Sequence, residues 1–159
     1  MKQQHKKKRI KNSPKKIQNT YKNEHFSEPT ICKLCNAVYQ NGQWSWGEIP
    51  EKAEEVICPA CQRYEDDQPA GVIEIRGSYY KNHRDELLHL ITGIEHRVNK
   101  EHPLERIMSI TDKSDRTVIT TTGFDLARKI GQTLHKSYDG EVEFNYSNSN
   151  NELDIKWKS

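Results

Sequence analysis

Two Cys-x-x-Cys pairs, Cys32-Lys-Leu-Cys35 and Cys58-Pro-Ala-Cys61, use all 4 cysteines of the chain, with 22 residues between the pairs. A Cys-x-x-Cys turn carries both sulfurs on one side. Two such turns facing each other offer four thiolates at the corners of a tetrahedron, the ligand set and geometry that zinc favours. Cys32, Cys35, Cys58 and Cys61 are therefore assigned as metal ligands and zinc as the cofactor. Four thiolates complete the shell and leave no position for a reactive water, so the site is expected to stabilise a fold and not to do chemistry. Asn36, directly after the first pair, suits the left-handed backbone that such a knuckle often needs, and Gln62 holds the corresponding place in the second. Iron or an iron–sulfur cluster would use the same ligands. A thioredoxin-like redox pair would open a helix after a βαβ pattern, a context the sequence does not display. Disulfides are disfavoured because Met1-Lys-Gln-Gln-His5 lacks the apolar stretch of an export signal, so a reducing cytoplasm is expected.

A metal is also what the composition calls for. Apolar residues make up 33% of the chain against 30% charged, with a mean hydropathy of −1.01. That is a thin supply of core for 159 residues. The net charge of +2 hides a polarised distribution, for residues 1–22 carry nine Lys and Arg and no acid, leaving the remainder at −7. Such an arm on an acidic body is what a polyanion would meet first. Lys6, Lys7, Lys8, Arg9, Lys11, Lys15 and Lys16 are the candidate nucleic-acid contacts, binding phosphates through counterion release without reading sequence. The other reading of this arm is a solubilising terminus. No apolar run approaches the length needed to cross a bilayer, so no membrane association is expected.

The chain divides into a basic, disordered tail (1–28), a zinc ribbon (29–68) and an α+β domain (69–159). In the ribbon, Ala37-Val-Tyr-Gln40, the turn Asn41-Gly42 and Gln43-Trp-Ser-Trp46 read as a hairpin. Tyr39, Trp44, Trp46 and Tyr64 are its small core, or in part an exposed platform for nucleobases. Asp66-Asp-Gln-Pro-Ala-Gly71 is a boundary turn. Beyond it Val72–Arg76 reads as a strand. A helix capped by Asn82 follows, with Leu87, Leu90, Ile91, Ile94 and Val98 at helical spacing. Strands at Leu104–Ile110 and Thr117–Thr122 come next. A second helix is capped by Thr122 and buries Phe124, Ala127, Ile130, Leu134 and Tyr138. Two alternating strands close the pattern, with Val142, Phe144 and Tyr146, then Leu153, Ile155 and Trp157, on the inward face. The order βαββαββ predicts a ferredoxin-like βαββαβ sandwich with an extra terminal strand, two helices on one face and a wet face carrying Glu141, Glu143, Asp154 and Lys156.

Nothing marks a catalytic site. There is no phosphate-binding Gly-rich loop and no nucleophile elbow, and His89 and His96 read as surface histidines. The chain is therefore read as non-enzymatic, with no small-molecule substrate.

Several motifs together carry a resemblance. They are Cys32-x-x-Cys35-x-x-x-Tyr39-x-x-Gly42-x-Trp44, Cys58-Pro-Ala-Cys61-x-Arg63, Pro69-Ala-Gly71 and His83-Arg-Asp-Glu86-Leu. Glu101-His-Pro-Leu-Glu-Arg-Ile107, Thr120-Thr-Thr122 and Leu126-Ala-Arg-x-Ile130-Gly131 complete the set. Over about residues 30–158 the chain resembles a family of small bacterial zinc-binding proteins. That family is distantly similar to the amino-terminal part of NMD3, an adaptor of large ribosomal subunits in archaea and eukaryotes. The resemblance implies metal ligation by the four cysteines and association with RNA or a ribosomal particle, in assembly or on idle ribosomes. The further domains of NMD3 have no counterpart here, so an export-adaptor role is not implied. The alternative is a protein adaptor whose acidic α+β domain docks a basic partner.

Overall fold

The computed structural model describes the backbone of residues 9–11 and the whole of residues 26–159, which form two mixed sheets and four helices. The expected tail, 1–28, thus lies mostly outside the described residues, but Arg9–Lys11 within it form a strand, β1.

The smaller sheet belongs to the cysteine-bearing unit. It contains β2 (Thr30–Cys32), β3 (Val38–Gln40), β4 (Gln43–Ser45) and β5 (Glu54–Val56), in the order β4-β3-β2-β5. The expected hairpin is β3–β4. Its turn needs two successive residues at positive φ, and Asn41 (φ 56°) and Gly42 (φ 75°) supply them. Helix α1 (Pro59–Asp66) follows β5, with Cys58 as its N-cap and Pro59 at the first position, where its missing N–H costs nothing.

The larger sheet holds β6 (Gly71–Arg76), β7 (Ile107–Asp112), β8 (Arg116–Thr121), β9 (Glu141–Ser147) and β10 (Glu152–Lys158), in the order β1-β9-β10-β6-β8-β7. Each strand alternates as its residues dictate. Ile73, Ile75, Ile119, Val142, Phe144, Leu153, Ile155 and Trp157 are buried on one face. Against that face lie α3 (Arg84–Glu101), through Leu87, Ile91 and Ile94, and α4 (Phe124–Ser137), through Ala127, Ile130 and Leu134. Gly71 lets α4 approach closely, since a Cβ there would stand 2.4 Å from that of Ala127. On the opposite face Glu141 and Lys156 are exposed, and Glu143 and Asp154 are partly so.

The strand order departs from the ferredoxin-like one. The half β6-α3-β7 is as that pattern requires, with β8 inserted antiparallel between β6 and β7. The place beside β6 that β9 would fill is instead taken by β10, which runs parallel to β6, and β9 pairs on the far side of β10. A tight turn through Asn151 (φ 49°) joins β9 to β10, so the two stay neighbours, and β10 brings Trp157, fully buried, to the sheet's interior.

Both expected caps differ. Asn82 ends a short helix, α2 (Ser78–Asn82), because the N–H of His83 returns to the carbonyls of Tyr79 and Tyr80; α3 starts at Arg84 with no side-chain cap. Gly123, not Thr122, is the N-cap of α4. The Thr122 hydroxyl is engaged elsewhere, accepting from the Arg106 N–H at 2.9 Å and donating to the Leu104 carbonyl at 2.7 Å. Among the described residues no helix is long and apolar enough to cross a membrane.

Candidate metal centre

The four sulfurs meet. Cys32 ends β2, Cys35 lies in the turn after it, and Cys58 and Cys61 occupy the N-cap and first turn of α1. One ligand atom from each lies within 4.8 Å of all the others, and Cys35 and Cys58 Sγ are 3.8 Å apart. A tetrahedral ion bonded to each sulfur at about 2.3 Å requires sulfur–sulfur edges of about 3.8 Å, so the cluster can hold a metal ion and is consistent with zinc.

Local backbone explains how each pair is shaped. The Asn36 N–H donates to the Cys32 carbonyl at 2.9 Å, and Asn36 sits at φ 67°, the left-handed position expected for it. The second pair differs from expectation: Gln62 is an ordinary helical residue, because Pro59 starts a helix at once. Cys58-Pro-Ala-Cys61 therefore does open a helix, as a redox pair would. What sets it apart is that its sulfurs face two others. Backbone amides also turn toward the sulfurs, Cys58 N–H to Cys32 Sγ at 3.3 Å and Cys61 N–H to Cys58 Sγ at 3.4 Å.

The residue that sequence reasoning missed is Arg106. Its guanidinium donates to Cys35 Sγ (3.1 Å) and Cys61 Sγ (3.4 Å) and lies 3.8 Å from Cys58 Sγ. Arg106 comes from the loop between α3 and β7, held by Nε donating to the Pro103 carbonyl at 2.7 Å. Four thiolates around a divalent ion carry two net negative charges, and one guanidinium at this distance offsets half of that. Burial works against the Arg106 charge, yet the hydrogen bonds to Cys61 and Cys35 and the nearby thiolate charge hold its pKa above the ordinary value.

As free thiols the cysteines are strongly unequal. A hydrogen bond from the Cys58 thiol, set against burial and joined by the Ala37 backbone and Arg106, brings Cys35 down to about 4. Cys58 is pushed up by that same hydrogen bond and by its burial. Cys61 is raised by burial in spite of Arg106.

The centre is seated against the larger domain. Leu104 packs with the ligands Cys32, Cys58 and Cys61. Arg63, 2% exposed, donates to the Gln68 carbonyl at 2.9 Å and lies 5.7 Å from the centre of the Phe124 ring. Trp46 Nε1 donates to the Asn99 carbonyl and Tyr64 Oη to the Ile107 carbonyl, both at 2.8 Å.

The four aromatics differ in exposure. Tyr39 and Trp44 form a three-ring cluster with Phe26, centres 5.3–5.5 Å apart, and are partly buried. Trp46 and Tyr64 are 41% and 43% exposed, and the Arg106 guanidinium lies 5.8 Å from the Trp46 ring centre. Of the arm, Lys6, Lys7, Lys8, Lys15 and Lys16 lie outside the described residues; Arg9 and Lys11 are the ends of β1. His89 and His96 join no metal-binding group among the described residues.

No protein-family model matches the chain, and comparison with curated proteins finds no similar sequence.

Proposed function

We propose that this chain is a cytoplasmic, non-enzymatic zinc-ribbon protein that binds RNA, as a ribosome-associated or assembly-type factor. The observation carrying this reading is the pair of exposed aromatics beside the four-sulfur centre. Trp46 and Tyr64 are each anchored at the polar end to a backbone carbonyl while much of the ring stays in solvent. A ring held in place and left open is suited to stacking on a nucleobase, a contact of about 1–3 kcal/mol per base that tolerates any sequence. Lys33 and the exposed Leu34 stand in the turn between the first two ligands. The basic arm adds attraction to phosphates that does not depend on sequence. Zinc is the ion that four sulfurs at this spacing suit best, and its role is to hold the aromatic-bearing turns in place. The resemblance to the amino-terminal region of NMD3 favours ribosomal RNA as the target.

The test is titration of single-stranded RNA at several salt concentrations. If about five arm cations contact phosphates, log affinity falls against log salt with a slope of roughly −3.5, and deletion of residues 1–22 flattens it. Trp46→Ala and Tyr64→Ala are each expected to weaken binding about tenfold or more while leaving that slope in place. Unchanged affinity in both variants and an unchanged slope after deletion would refute the reading. A basic protein docking on the acidic domain would then replace it.

A further inference from the structure

β1 lies along β9 in a parallel register that sets Arg9 opposite Glu141, Ile10 opposite Val142 and Lys11 opposite Glu143. The two sequences are complementary in this register: cation, apolar, cation against acid, apolar, acid. Side chains alternate faces along a strand, so a slip of one residue would set a cation opposite Val142, 1% exposed, and Ile10 opposite a glutamate. Charge and burial thus select the same pairing. Unlike charges at matching positions of neighbouring strands attract, and the ladder adds backbone hydrogen bonds.

Arg9 and Lys11 belong to the arm whose cations are assigned to RNA phosphates. Paired with β9, they stand at register positions opposite Glu141 and Glu143. We propose that the edge of β9 is an internal competitor of RNA: the Arg9–Lys11 strand docked on Glu141–Glu143 holds back the basic arm, and a polyanion binds it fully only by displacing it from the sheet. The proposal rests on the RNA-binding reading. It adds that part of the free energy of RNA binding is spent on undocking, and that β9 becomes an open edge in the bound state.

Two measurements on the full chain test it. Ile10→Pro leaves every charge in place but removes the central N–H of β1, so it weakens pairing with β9. The variant is expected to bind poly(U) several-fold more tightly than the wild type at low salt. The gap should narrow as salt rises, because screening loosens the β1–β9 attraction as well. In hydrogen exchange, poly(U) is expected to speed, in the wild type, exchange of those Glu141–Glu143 amides that point toward β1 and not toward β10, toward their rates in Ile10→Pro without RNA. Protection in β10 should not change, which shows that the sheet is intact. Equal or weaker binding by Ile10→Pro, or protection of those β1-facing amides that persists in the RNA complex, would overturn the competition and leave RNA binding standing. If neither protein binds poly(U), while Ile10→Pro still speeds β9 exchange, the RNA reading fails and the competition fails with it.

Discussion

Arg106 touches three of the four sulfurs from a loop outside the cysteine-bearing unit. A guanidinium suits that place because its planar fork reaches several acceptors at once and stays charged when half-buried, where an ammonium would offer a single strongly hydrated point. Groups that hydrogen-bond metal ligands in this way are typically worth about 10–100-fold in metal affinity. Loaded with metal, Arg106→Ala is expected to lose the ion to a competing chelator at a concentration lower by about that factor. Arg106→Lys should recover only part of the difference. Identical retention by all three proteins in the chelator titration would mean that the guanidinium is structural and does not act on the metal. The sequence carries no local sign of this contact, because Arg106 follows the last cysteine by 45 residues and nothing in its neighbours' spacing points back to the ligands.

At the scale of elements, the start of α4 shows how a helix end is satisfied from a distance. Its N-cap, Gly123, has no side chain to offer, and the carboxylate of Glu105, 1% exposed, accepts from the Leu126 N–H at 3.0 Å instead. Gly123 is what makes room: a Cβ there would stand 1.7 Å from Glu105 Oε2. Gly123→Ala should therefore push the carboxylate off the helix end and destabilise the protein by about 1–3 kcal/mol, the cost of a buried polar group losing its partner. Urea midpoints of variant and wild type measure this, and an unchanged midpoint would show that Glu105 can move at no cost. Legibility follows the same division between near and far. The apolar period of α3 and α4, the alternation in β9 and β10, the left-handed Asn36 and the Asn41-Gly42 turn are all written in residues a few positions apart, and each is found as read. The Glu105 cap and the position of β10 inside the sheet are set by partners about 20 to 80 residues away, where local pattern has nothing to say.

For the molecule as a whole, the four-sulfur cluster and the larger domain meet across one seam. Leu104 and Arg106 reach into the ribbon, and Arg63, Trp46 and Tyr64 lean on the domain. The domain has an apolar core of its own, so a fragment of residues 69–159 is expected to unfold cooperatively. It should do so at a lower temperature than the whole chain, since it leaves one side of Leu104 and Phe124 uncovered. Chelating the metal from the whole protein should lower the melting temperature of that same transition, because metal binding supplies much of the ribbon's folding free energy and the ribbon covers the seam. Calorimetry in which chelation leaves the domain's transition where it was would show two units that merely touch. The place of β10 bears on how the chain is made. Every strand it joins is synthesised before it, yet it lies between β9 and β6. From completion of β6 the chain grows by roughly 80 residues, about 4–16 seconds of synthesis, before β10 exists. For most of that interval β9 does not exist either, so one edge of β6 stays unfilled until the β9–β10 hairpin arrives as a unit.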